Sequence, residues 1–199
     1  MFGIIRTAVI FAISKSKMKK QISNILLIFV FTTIYTVVRY HIFGGVPIQD
    51  FLFYTFNKIA IFSAILLLLL YRLKAQKTAP SLYIQTAFAL VTLHILLSIL
   101  LLQPEYYKDF FLPSGKYSLL GSLSLLGGSM TTVLFLFKDK FSLSRKWRTL
   151  LFNLFISIHL LAMGLKGWLH PESWHGYMLP ITLLAFVLLW FGLGRLREK

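Results

Sequence analysis

The stretch WRTLLFNLFISIHLLAMGLKGW, residues 147–168, combines membrane-spanning length with one histidine, His159, near its middle. A helix needs about 20 mostly apolar residues to cross the hydrocarbon core of a bilayer. An ionisable side chain at that depth is costly in lipid, and it usually faces the interior of a helix bundle, where it binds, coordinates or relays something. What His159 faces is therefore the question on which the function of this chain depends.

The composition of the whole chain indicates a membrane protein. Of its 199 residues 57% are hydrophobic, and the mean hydropathy is +0.76. The net charge of +15 is typical of basic residues at the cytoplasmic ends of membrane helices, and we expect no nucleic-acid partner. The chain has no cysteine, which excludes disulfides, thiolate metal sites and cysteine catalysis, and its 6 carboxylates leave little material for acid-base hydrolysis.

Apolar segments of spanning length predict an all-α membrane protein, a six-helix bundle that occupies residues 22–199. The predicted spans lie near residues 22–43, 50–73, 82–103, 117–137, 147–169 and 176–196. Residues 1–21 are predicted to be an N-terminal segment. It consists of a short helix lying at the membrane interface, favoured over a cleaved signal peptide, and a basic anchor at residues 15–20.

The distribution of basic residues predicts the orientation. If the N-terminus is cytoplasmic, most of the 21 lysines and arginines fall on the inner side. The outer half then keeps Arg39, Lys58, Lys108, Lys116 and Lys166. The excess of positive charge predicts a multi-pass protein of the cell (inner) membrane with both termini in the cytoplasm.

Two histidines are predicted to lie at the same depth in the bilayer. His94 is on the third span and His159 on the fifth, and in a six-span bundle these helices run in the same direction. Counted from Ser81 and Trp147, both histidines lie roughly 18–20 Å from the inner end at about 1.5 Å per residue. Two imidazoles at one level on separate helices are what a b-type haem needs, because each Nε2 can supply one axial bond to the iron.

A simpler interpretation accompanies each of these features. A single histidine inside a membrane is often a hydrogen-bonded packing residue. The small residues of the fourth span, 119–130, are consistent with close helix packing or with a groove facing a flat cofactor. Lys58 and Arg39 could pair with haem propionates or extend towards the outer interface. A zinc site would want three or four ligands, which are not found at this depth.

The placement of the two histidines resembles the ferric reductase-like transmembrane family. This family includes the STEAP metalloreductases, the membrane domain of NADPH oxidases and the bacterial MsrQ proteins. The resemblance covers about residues 22–196, and the residues that carry it are His94 in TLHIL, His159 in SIHLL, the VPIQD segment at 46–50 and Trp147. It implies one haem b, with His94 and His159 as the axial ligands.

Two departures from the family pattern limit the expectation to a single haem and to an electron donor on a separate molecule. Family members with two haems carry a second histidine on each of these spans. The corresponding positions here hold Pro80 or Ser81 and Arg145 or Lys146, so a single haem is expected. Because no glycine-rich nucleotide fingerprint is visible, we expect electrons to come from a separate flavoprotein, or from a quinol, with flavin or quinone belonging to that partner.

The two faces of the bundle suggest further candidates. On the outer side His170 and His175 could bind a metal substrate or orient a partner, although exposed histidines often have no role, and the nearby tryptophans and tyrosines are typical of an interfacial belt. Towards the inner side Gln85 and Asn153 could line an access route or form interhelical hydrogen bonds. Attraction to anionic lipid is sufficient to explain the basic inner face.

The sequence thus predicts a membrane b-type cytochrome that carries electrons to an acceptor at the outer face. Two alternatives stay open. One is a non-catalytic membrane subunit or anchor of a larger complex, formed with like or unlike chains. The other, which the lack of internal repeats disfavours, is a small transporter with a histidine proton relay.

Overall fold

The computed structural model describes residues 2–73, 82–137, 140 and 142–194, and within these residues the chain is helical and contains no strand. The α-helices are α1 Phe2–Val37, α2 Tyr54–Leu73, α3 Leu82–Leu100, α4 Leu119–Leu136, α5 Arg145–Trp168 and α6 Ile181–Gly194. Five stretches are long and apolar enough to cross a membrane, namely Met18–Ile42, Ile48–Tyr71, Leu82–Leu100, Leu119–Leu136 and Trp147–Trp168. The prediction of an all-α protein is confirmed for the described residues, and these five stretches are candidates for membrane spans.

Two predicted segments differ from the observed helices. The sixth span was expected over 176–196, but α6 has 14 residues, or about 21 Å at 1.5 Å per residue, and residues 195–199 lie outside the described part. At the other end of the chain, α1 runs from Phe2 to Val37 without a break. Residues 2–21 are therefore helical and continuous with the first span, and their placement at the membrane interface stays a prediction. The basic residues Lys74, Lys77 and Lys138 also lie outside the described residues.

The first span ends in a π-helical turn, Val38–Ile42. Gly44 follows it, and a Cβ atom on Gly44 would lie 2.7 Å from the carbonyl oxygen of Tyr40. Only glycine therefore allows the chain to leave the helix so tightly. Pro47 then precedes a short 3₁₀ turn, Ile48–Phe51, that leads into α2.

The contacts divide the chain into two compact units, Met1–Leu97 and Ser98–Lys199, and each is described by itself. In the first unit α2 and α3 share a core of four almost completely buried residues, Ala64, Leu67, Tyr83 and Ala87. Ile25 and Ile28 of α1 pack against this core. Outward-facing positions of α1 such as Leu27 and Ile34 are exposed, as expected for side chains that face lipid.

Hydrogen bonds between side chains also join the helices of the first unit. The Nδ2 group of Asn24 on α1 donates to the hydroxyl oxygen of Tyr83 on α3 at 2.6 Å. The hydroxyl groups of Thr32 on α1 and Ser63 on α2 lie 2.6 Å apart and are both buried. These contacts fix the helices relative to one another, because lipid offers no competing partner for the groups.

In the second unit α4 and α5 approach each other closely. The side chains of Ser118 and Ser144 accept hydrogen bonds from the first turns of α4 and α5. A Cβ atom on Gly127 of α4 would lie 2.7 Å from the carbonyl oxygen of Phe155 on α5. The packing interpretation of the small residues in the fourth span therefore applies here. At the other end of α5, Nε1 of Trp168 donates to the hydroxyl oxygen of Thr182 on α6 at 2.9 Å.

We predict that Gly127→Ala destabilises the protein by about 1–3 kcal/mol, because the added methyl group forces two backbones apart. Thermal unfolding in detergent measures the effect. Gly167→Ala on the same pair of helices is the matched control, since a Cβ atom there would meet nothing within 4 Å. Equal melting temperatures for the two variants would contradict the close approach of α4 and α5.

Candidate functional site

His94 lies on the face of α3 that also carries Tyr83 and Ala87, and it is half-buried. Its Nδ1 atom is 2.6 Å from the Oδ1 atom of Asn57 on α2. Asn57 is fully buried, with 0% of its surface exposed. Because the amide oxygen can only accept, the imidazole donates from Nδ1. The ring of His94 is therefore held by a neighbouring helix within the same unit.

His159 is held in a similar way in the second unit. Its Nδ1 atom lies 2.9 Å from the carbonyl oxygen of Ser124 on α4 and 3.1 Å from the hydroxyl oxygen of the same residue. The imidazole lies against Gly128, where a Cβ atom would come within 3.0 Å of Nδ1. A glycine at this position gives the ring its room. His159 thus faces α4, and its Nδ1 group donates to a backbone carbonyl.

These hydrogen bonds determine the tautomer of both rings. A neutral imidazole that carries its proton on Nδ1 has its lone pair on Nε2, which is the nitrogen that binds metals in this state. Histidine ligands of metals usually donate their other ring nitrogen to a carbonyl or carboxylate oxygen, which orients the ring and raises its basicity. Both His94 and His159 have this second contact.

A third histidine lies at the end of the first candidate span. His41, in the π turn, uses both ring nitrogens: Nδ1 lies 2.8 Å from the carbonyl oxygen of Val46, and Nε2 lies 2.8 Å from the hydroxyl oxygen of Thr55. Its ring also stacks on Phe51, with 5.7 Å between the ring centroids. His41 therefore has a structural role, joining the end of the first span to the start of α2.

The two cations predicted to lie near a cofactor are both placed beside aromatic rings. The Nζ atom of Lys58 is 5.0 Å from the ring centroid of Tyr54. The guanidinium carbon of Arg39 is 5.6 Å from the ring centroid of Tyr40, and Arg39 is only 5% exposed. Cation–π contacts of this kind stabilise charged groups in apolar surroundings. Pairing of either cation with a propionate stays a prediction.

The remaining candidate site residues differ in how far their side chains are buried. Gln85 is exposed on α3, whereas Asn153 on α5 is only 5% exposed. His170 lies in an exposed loop, where its Nδ1 atom is 2.8 Å from Oε1 of Glu172. The pKa of the Glu172 carboxyl is lowered, first by a hydrogen bond from its own backbone N–H and then by the one from His170. His175 is half-buried in the following turn.

The structure does not bring a classical multi-ligand metal site together. Among the described residues, no group of three or more His, Cys, Asp or Glu side chains could hold a metal ion. His94 and His159 belong to different units, and each is paired with a polar residue of its own unit. Each of the two imidazoles is therefore oriented by a hydrogen bond within its own unit.

The hydrogen-bond partners of His94 and His159 were not predicted from the sequence. Asn57 and Ser124 are polar residues within apolar segments, and an amide inside a membrane helix is itself a signal, because it needs a partner there. The sequence could not pair Asn57 with His94, because 37 positions separate them and the pairing depends on how α2 and α3 pack.

Comparison of the chain with models of protein families, with curated proteins and with solved structures finds no match.

We predict that His41→Phe lowers the free energy of unfolding by about 1–3 kcal/mol, because it leaves the buried hydroxyl group of Thr55 and the carbonyl of Val46 without their hydrogen bonds. Thermal unfolding in detergent tests this. His170→Ala, in an exposed loop, is the control and should leave the melting temperature unchanged. A His41 variant as stable as this control would contradict the structural role of His41.

Proposed function

We propose that this protein is a membrane b-type cytochrome in which His94 and His159 are the axial ligands of one haem. The observation that carries the proposal is the matched hydrogen bonding of the two histidines: each donates from Nδ1 to an oxygen of a neighbouring helix, at 2.6 Å for His94 and 2.9 Å for His159. In this tautomer the Nε2 atom carries the lone pair, and we propose it as the coordinating nitrogen in both rings. The membrane location of the helices that carry them supports the same proposal.

The donor set fits haem iron better than a metal ion without a porphyrin. Two neutral imidazoles complete the coordination of haem iron, since the porphyrin supplies the other four ligands. A zinc site would need three or four protein ligands, and the described residues hold no such group. When bound, the haem supplies one-electron redox chemistry.

The residues of this chain would orient the ligands and tune them. Asn57 holds the His94 ring and the Ser124 carbonyl holds the His159 ring, and these hydrogen bonds would give both ligands a fixed orientation and a raised basicity. We propose Lys58 and Arg39 as the cations that balance the propionate charge. Leu90 and Val91, about one turn before His94 on α3, are apolar, and the polarity around a haem is one of the factors that set its redox potential.

The proposal extends to the topology of the protein, its membrane and its electron-transfer partners. We propose six spans with both termini in the cytoplasm of a cell (inner) membrane, the arrangement indicated by the basic residues, and a relationship to the ferric reductase-like transmembrane family. Electrons would come from a separate flavoprotein or quinol and leave to an acceptor at the outer face. If haem does not bind, the alternative function is that of a non-catalytic membrane subunit.

We expect the purified, haem-supplied protein to show sharp b-type bands in its dithionite-reduced minus oxidised absorption spectrum. His94→Ala and His159→Ala should each abolish these bands or nearly so, because a ligand to the iron is lost. His170→Ala and His175→Ala, in the loop before α6, are the matched controls and should keep them. A spectrum without such bands would contradict the cytochrome proposal. Haem retained in His94→Ala or in His159→Ala would show that the ligand assignment is wrong.

A second experiment tests the supporting residues. We expect Asn57→Leu to lower haem affinity about 10- to 100-fold, the usual loss when a partner of a ligating histidine is removed. Ser124→Ala should have little effect, because the backbone carbonyl that accepts from His159 is still present. Haem titration of the apoprotein measures both. An unchanged affinity in Asn57→Leu, or an equal loss in Ser124→Ala, would contradict these roles.

A further inference from the structure

Two polar oxygen atoms of α5, one on Asn153 and one on Ser157, are buried without a hydrogen-bond partner among the described residues. Asn153 is 5% exposed and Ser157 is 7% exposed. Within the described part of the chain neither the Oδ1 atom of Asn153 nor the hydroxyl oxygen of Ser157 has a partner. A buried polar atom that lacks a partner costs free energy, and in folded proteins such atoms are commonly satisfied by an ordered water.

The two residues belong to one row along the helix. Thr149, Asn153 and Ser157 follow each other at intervals of four residues, so they lie on one side of α5. Since α5 begins at Arg145, Asn153 and Ser157 lie about 12 and 18 Å along the helix at 1.5 Å per residue. The row thus leads from the polar end of the helix towards the centre of the span, near His159.

Burial of this row argues for a small occupant. Exposures of 5% and 7% leave no open space for a bulky ligand, but a single water needs only two to four polar partners. Asn153 Oδ1 can accept a hydrogen bond from a water, and the Ser157 hydroxyl can donate to it or accept from it. One turn of helix separates the two groups, which suits a shared bridging water.

We propose that Thr149, Asn153 and Ser157 line a narrow hydrated path that admits water from the N-terminal end of α5 to the middle of the membrane span. This site goes beyond the proposed function, and it does not depend on haem. The row of polar groups replaces part of the bulk hydration that water loses on entering the bilayer. Lipid-facing positions of the same helix, such as Leu150 and Leu154, are exposed and apolar, so they offer no such path.

The absence of cysteine in this chain allows a direct test with single-cysteine variants of the full protein in membrane vesicles. The probe is the silver ion, which is small, hydrophilic and reactive towards thiolates. We expect silver to block Asn153→Cys and Ser157→Cys at least roughly tenfold faster than Leu154→Cys, because the reactive thiolate forms in water and not in lipid. Alkylation of the thiols that stay unreacted, after denaturation, measures the block.

The side from which silver acts tests the direction of the path. Ser142→Cys and Ser173→Cys mark the two ends of α5, because both positions are exposed in the connecting segments. Silver added on the Ser142 side should block Ser157→Cys, and silver confined to the Ser173 side should not. Equal rates for Ser157→Cys and Leu154→Cys overturn the proposal, as does a block that occurs only from the Ser173 side.

A stability measurement gives an independent result if a cysteine variant fails to fold. Ser157→Ala removes a single oxygen atom from the row. If the hydroxyl group binds water, this change removes hydrogen bonds and lowers the melting temperature. A melting temperature that does not fall means that the oxygen was an unsatisfied group in a dry interface, and it overturns the hydrated path.

Discussion

Hydrogen bonding inside an apolar environment is the constraint on which the rest of this structure depends. In lipid no water competes for a polar group, so a hydrogen bond within the protein stabilises a polar group that is carried into a span. The described helices form such hydrogen bonds in pairs: Asn24 with Tyr83, Thr32 with Ser63, and His94 with Asn57. These pairs set the rotation of the helices about their axes, which a purely apolar interface would specify weakly.

The same constraint gives the histidines different properties. His41 has a protein partner on each ring nitrogen, and it therefore joins two segments of the backbone. His94 and His159 donate from Nδ1 to oxygen atoms of neighbouring helices, which fixes the orientation of both rings. A histidine in a membrane helix is accordingly informative only when its hydrogen bonds are known. Gly128 contributes by leaving room for the ring of His159.

The helices themselves were largely predictable, and particular residues show why. Gly44 ends the first span as expected, because its tight contact with the Tyr40 carbonyl excludes any larger residue. Length and apolar content placed α2 to α5 near their observed bounds, since a helix that can cross a bilayer is recognised by a run of apolar side chains along the chain. The ends were less predictable: α1 continues through the basic segment, because lysine is a good helix former, and α6 is shorter within the described residues.

The apolar helices and the few ionisable side chains that they carry were accessible from the sequence, because both follow from composition and spacing along the chain. The candidates His94, His159, Lys58 and Arg39 came from this pattern, which does not say what each of them contacts. The hydrogen bonds of His94 with Asn57 and of His159 with the Ser124 carbonyl became visible in the packed helices. A hydrogen bond between helices depends on their rotation and separation, and these arise from packing over the whole interface.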